Sequence, residues 1–107
     1  MAKVYAETRA EPRIPMAVAV QLSGHQALPG VETTFTEDVS SCGARVLTTR
    51  RWQPNDALQI ASLGGEFHAR ARVVYCQPLA GEGFAIGLEF LQPVGAWVVP
   101  RGSPEAS

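Results

Sequence analysis

The stretch Glu66-Phe67-His68-Ala69-Arg70-Ala71-Arg72-Val73-Val74-Tyr75-Cys76-Gln77 decides the fold. Phe67, Ala69, Ala71, Val73 and Tyr75 recur at every second position, with Glu66, His68, Arg70 and Arg72 between them. That period is the one of a pleated strand, whose side chains point alternately to opposite faces. The pattern predicts a long strand with the Phe67–Tyr75 set turned to a core and the charged set turned to water. The small Ala69 and Ala71 suit a narrow barrel, whose interior closes without overpacking.

Outward from this strand the same grammar continues. Gly64-Gly65 before it is a tight hairpin signal, and Gly81-Glu82-Gly83 after it turns the chain into a last strand over 84–91. Upstream, short apolar or alternating runs predict strands over 16–22, 31–36, 43–49 and 57–63. The loop 23–30 and the turn Gln53-Pro54-Asn55-Asp56 punctuate them. Six strands at a spacing of about 10 residues, with Gly/Pro turns and almost no helical period, predict an all-β fold. Its form is a small six-stranded antiparallel barrel, closed or nearly so.

Composition agrees. The chain has 107 residues, 46% hydrophobic and 18% charged, the profile of one globular domain and too apolar for a disordered chain. No apolar run approaches the ~20 residues that span a bilayer, and the first residues lack the apolar core of a secretory leader. A cytoplasmic location is expected. Nine basic and ten acidic residues leave a net charge of −1, which does not support a bulk electrostatic grip on long nucleic acid. Eight of the nine basic residues are Arg, with Lys3 the exception. Arg carries a planar fork where Lys carries a point charge. Cys42, Cys76, His25 and His68 fall at none of the short spacings that bind metal, so no metal site is expected and both thiols read as small core or near-core groups. Trp52 and Trp97 read as packing residues.

The two ends depart from the barrel pattern. Residues 1–15 hold Lys3, Glu7, Arg9, Glu11 and Arg13 among Pro12 and Pro15, which predicts a flexible, extended arm. The barrel is expected over 16–98 and a disordered tail over 99–107. The tail's Val99-Pro100-Arg101-Gly102-Ser103 is most of a commonly engineered protease site, so it carries no functional weight.

Two polar segments remain. Arg9-Ala10-Glu11-Pro12-Arg13 places two Arg four residues apart on the arm, and Asp38-Val39-Ser40-Ser41-Cys42-Gly43 reads as a polar turn between the second and third strands. Taken singly, each has a plain explanation: solvated charges for the first, turn formers for the second. Taken together they resemble the PilZ domain family, whose signature is RxxxR before the first strand and [D/N]xSxxG after the second. Arg9 and Arg13 match the first motif; Asp38, Ser40 and Gly43 match the second. Ala71-Arg72-Val73-Val74-Tyr75 and Ala85-Ile86-Gly87-Leu88-Glu89-Phe90 also look like that family, so the resemblance runs from about residue 9 to residue 91.

The resemblance implies a six-stranded barrel that binds the bacterial second messenger cyclic di-GMP, with no further cofactor. The residue chemistry suits that ligand. An Arg fork meets guanine O6 and N7 bidentately, at about 1–3 kcal/mol of discrimination, or takes two phosphate oxygens. Asp38 can accept from guanine N–H groups, and Ser40 Oγ can donate or accept toward base or phosphate. Gly43 permits a close backbone approach or a positive φ. Arg70 and Arg72, with His68, could extend the positive site toward phosphate or simply face water, as could Arg45, Arg50 and Arg51. Free, the arm is expected to be mobile; bound, Arg9 and Arg13 would clamp the ligand near Asp38 and Ser40, and that ordering would be the signal.

Three departures matter. Thr8 and Ala10, where relatives often have another Arg, favour one ligand molecule over a stacked pair. Ala44 replaces a frequent second Gly without evident harm. Residues 92–97 are too broken for the C-terminal helix that many members carry. The readings left are a cyclic di-GMP sensor passing its signal to a protein partner or an attached domain, an adaptor of the same fold working without nucleotide, and a small nucleic-acid-binding barrel. Neutral charge and few aromatic residues oppose the last. With neither a catalytic triad nor a phosphate loop in the sequence, no enzymatic activity is expected.

Overall fold

The computed structural model describes residues 13–92 and 94–95; the arm before Arg13, Trp97 and the tail over 99–107 lie outside them. Eight strands form: β1 (Ile14–Pro15), β2 (Ala19–Ser23), β3 (Val31–Val39), β4 (Gly43–Thr48), β5 (Ala57–Ser62), β6 (Phe67–Pro78), β7 (Phe84–Phe90) and β8 (Val94–Gly95). All pairings are antiparallel, and no helix occurs among the described residues.

Neighbours run β3-β2-β5-β6-β7-β4, and β4 pairs back onto β3, so six strands close into a barrel. The two extra strands are continuations. β1 lies on the same edge of β3 as β2, with Ile14 opposite Val39 and Ala19 opposite Phe35, so β1 and β2 are one interrupted strand. Likewise β8 follows β7 along β6. The first strand thus begins two residues before the start expected at Met16, because Ile14 packs against the core and Pro15 pairs with Asp38.

The barrel is filled from alternate positions of every strand. Val20, Leu22, Val39, Val46, Leu58, Ile60, Phe67, Ala69, Ala71, Val73, Ile86 and Leu88 are all buried. Phe67 packs at 5.1 Å on Phe90. Trp52 closes one end, 2% exposed, with the His25 ring edge-on at 4.6 Å. His25 Nδ1 accepts from the Ala27 and Leu28 amides and Nε2 donates to the Arg51 carbonyl, which assigns the tautomer and ties loop 24–30 to the chain before Trp52. At the same end the Glu32 carboxylate accepts from the Thr48 hydroxyl at 2.6 Å and the Thr49 amide at 2.7 Å.

Two register shifts break strict alternation. In β6 the shift lies between Val73 and Tyr75, with Val74 as the extra, exposed residue. Parity reverses beyond it, so Cys76 packs against the core and Tyr75 turns outward. The inward placement of Tyr75 expected from the period of two is therefore corrected. A second shift lies in β3 between Thr36 and Asp38. Thr36 faces inward, bonding Val18 N–H and Met16 C=O, and Val39 is fully buried. Glu37, the extra residue, and Asp38 both face out.

Candidate functional site

Asp38 belongs to the end of β3 rather than to the polar turn expected there; the turn proper is 40–42. β1 runs beside this end of β3, which brings Arg13 to it. Arg13 Nη1 donates to Asp38 Oδ1 at 2.6 Å, with side-chain exposures of 48% and 24%. One member of each motif is thereby joined across twenty-five residues of chain. Arg9 lies outside the described residues.

Ser40 is buried and holds the turn together. Its Oγ accepts from the Cys42 and Gly43 amides, both at 3.2 Å, while its own amide donates to the Gly43 carbonyl at 2.9 Å. Within the second motif, Ser40 and Gly43 thus act locally as a pair. Of the two uses open to Gly43, close approach is the one observed: a Cβ there would overlap the Leu88 carbonyl of β7, and no positive φ is involved. Cys42 sits exposed at the turn tip, which corrects its expected burial; Cys76 is half-buried.

Beside Asp38 the structure assembles a row that sequence spacing did not reveal. Asp38 is opposite Arg45 on β4, Arg45 opposite Gly87 on β7, and Gly87 opposite Tyr75 on β6. Arg45 Nε donates to Glu37 Oε1 at 2.7 Å, and its Nη1 donates to Tyr75 Oη at 2.9 Å and Gln77 Oε1 at 3.1 Å. The Glu37 bond first, then Tyr75, raises the Arg45 pKa further above its already high ordinary value, against a small opposing effect of burial. The guanidinium is thus a permanent cation, held in one orientation by three acceptors.

The two auxiliary arginines are placed differently. Arg72 bonds Glu89 Oε1 through Nε at 3.0 Å and Asn55 Oδ1 through Nη1 at 2.8 Å, so its fork is engaged on the outer face. Arg70, also outward and exposed, stands opposite Gln59. No group of His, Cys, Asp and Glu able to hold a metal occurs among the described residues.

What the arrangement can do chemically follows from its polarity. A partly exposed carboxylate, one Arg fork beside it and a second on the neighbouring strand offer acceptors and donors to a planar, hydrogen-bonding anion. The family model of the PilZ domain matches residues 7–96. No curated protein matches the chain. Among solved structures the chain is similar to the Bacillus subtilis Inhibitor of motility (MotI/DgrA), with a TM-score of 0.64 and 18% identity over 77% of this chain and 42% of that one. It spans less than half the length of that structure, and at this identity the likeness concerns the fold.

Proposed function

The chain belongs to the PilZ domain family, and from that premise we propose that it is a cytoplasmic sensor domain that binds cyclic di-GMP and passes the change to a protein partner or an attached output domain. The observation that carries this reading is the 2.6 Å contact between Arg13 and Asp38. Two motifs far apart in sequence, each ordinary alone, meet at one surface point with the charges a guanine edge and a phosphate require. Asp38 accepts from the guanine N–H groups, Arg13 turns its fork to the ligand, and Ser40 and Gly43 hold the turn beneath. Arg9, four residues upstream, supplies the second guanidinium as the arm closes on the ligand. That closure is the signal. The role is one of binding, with no reaction catalysed.

Calorimetric titration with cyclic di-GMP, beside GTP and linear pGpG, tests the reading. Binding of cyclic di-GMP alone, in the micromolar range of about −8 kcal/mol, is expected. Arg13→Ala and Asp38→Ala should each abolish it while the thermal melt stays nearly unchanged. Wild-type affinity in both variants would refute the site.

The other half of the barrel's outside supports a second reading, an adaptor acting through protein contact without nucleotide. On β2, β3 and β5 the outward positions Ala19, Gln21, Thr33, Phe35, Gln59 and Ala61 carry no charge. Phe35 and nearby Leu63 are each just over half exposed, at 53% and 52%. Apolar side chains left in water on an uncharged face suit a protein surface. Silence in the titration would favour this reading.

A further inference from the structure

One row of outward side chains on the β2–β3–β5 half of the barrel has an order of sizes that no motif accounts for. Phe35 on β3 stands opposite Ala19 on β2. From the far side of β2, the Leu63 amide donates to the Ala19 carbonyl at 3.1 Å. On β4, Leu47 follows Val46, the partner of Thr36, so it comes level with Phe35 at the other edge of β3. The row across four adjacent segments is therefore Leu47, Phe35, Ala19 and Leu63. Phe35 and Leu63 are exposed and Leu47 is half-buried, while Ala19 sets only a methyl between two large neighbours. A projecting ring thus stands beside a notch.

That order matches itself under half a turn. A two-fold axis normal to the face, passing between Phe35 and Ala19, lays Phe35 of one copy on Ala19 of the other, and Leu47 on Leu63. Each ring then enters the other copy's notch, the self-complementary contact that an isologous interface requires. Charge agrees with this. On one side of the row the outward positions are Thr33, Gln21 and Ala61, none of them ionisable. On the other side lie Glu37 and Arg45, already paired with each other at 2.7 Å. Half a turn sets that neutralised pair against the uncharged positions, so no charge meets its like. We propose that this row is a contact between two copies of the chain. The inference rests on the face used in the adaptor reading and gives it one occupant, with no nucleotide required. Three strand intervals span roughly 14 Å, so the contact buries less than the ~800 Å² per partner of a standard interface. The dimer is accordingly weak, with a Kd on the order of 100 µM, and carries two Arg13–Asp38 sites in one assembly.

Sedimentation equilibrium without nucleotide, from about 10 µM to about 1 mM chain, tests this. Thermal melts establish that each variant is folded. The wild type is expected to pass from monomer to dimer over that range and no further. Phe35→Ala removes the ring and should weaken association at least about tenfold. Ala19→Leu fills the notch and should weaken it as much, although it makes the face more apolar. A face that is merely sticky would respond in the opposite sense. Leu91→Ala, at an exposed apolar residue just past the end of β7, should leave association unchanged.

A wild type that stays monomeric throughout overturns the self-pairing, and so do species larger than a dimer. An Ala19→Leu or Phe35→Ala chain that associates as well as the wild type overturns it too. None of these results bears on the calorimetric titration, which tests the sensor and adaptor readings separately.

Discussion

The end of the barrel closed by Trp52 and the outward row through Asp38 use polar groups in opposite ways. Around Trp52 the acceptors are spent on the chain itself: Glu32 takes Thr48 and Thr49, and His25 takes two loop amides while giving its proton to Arg51. These contacts join loops to strands over a buried indole. Along the row, by contrast, Arg13 with Asp38 and Arg45 with Glu37 pair on the surface, partly exposed and over apolar residues already packed. Exposed ion pairs contribute ~0–1 kcal/mol to folding, whereas a buried aromatic contributes several times more. The barrel is therefore held by its buried interior and by the contacts around Trp52, and the outward polar row contributes little to that.

The largest effect expected is on the closed end. Trp52→Ala should cost about 3–5 kcal/mol in a denaturant titration and leave the cyclic di-GMP affinity of the folded fraction within about threefold of wild type. A matching loss of affinity would break the distinction between the regions. Next comes Asp38→Ala, with a loss of at least about a hundredfold in affinity, near 2.7 kcal/mol, and a stability change below about 1 kcal/mol. Unfolding by this variant would show that the row is structural after all. Glu32→Ala, which orphans hydrogen bonds made by a carboxylate, should cost about 1.5–3 kcal/mol in stability and nothing in affinity. Smallest is Arg72→Ala, with a stability loss under about 1 kcal/mol, since its Glu89 pair is exposed. A fall in affinity there beyond about threefold would extend the site across β6 and sharpen its boundary.

Much of this was legible in the chain. The period of two over 66–73 marked the central strand, and Phe67, Ala69, Ala71 and Val73 do face the core. Gly64-Gly65 and Gly81-Glu82-Gly83 marked real turns, and the six strand positions were found to within a few residues. Asp38 was recognised through its motif, but its place in a strand was not: Asp-Val-Ser-Ser reads equally well as the start of a turn. Tyr75 was assigned to the wrong face, because alternation extrapolated through Val74 carries no sign of an extra residue. Arg45 could be named only as an uncommitted surface cation, since its partners Glu37, Tyr75 and Gln77 come from two other strands.

By itself, then, the order of residues determined that the chain is an all-β barrel and which alternate side chains fill most of it, and it brought out two motifs by their resemblance to a family. Local periodicity and turn chemistry act over a few residues, and both can be read along a line. Only the closed sheet decided that Arg13 meets Asp38 and that Asp38, Arg45, Gly87 and Tyr75 stand in one row. That row exists because two bulges, at Glu37 and Val74, each reverse the parity of a strand. A bulge is a matter of register between neighbours: it appears where two strands of a curved barrel cannot both keep step, which no single strand's sequence records.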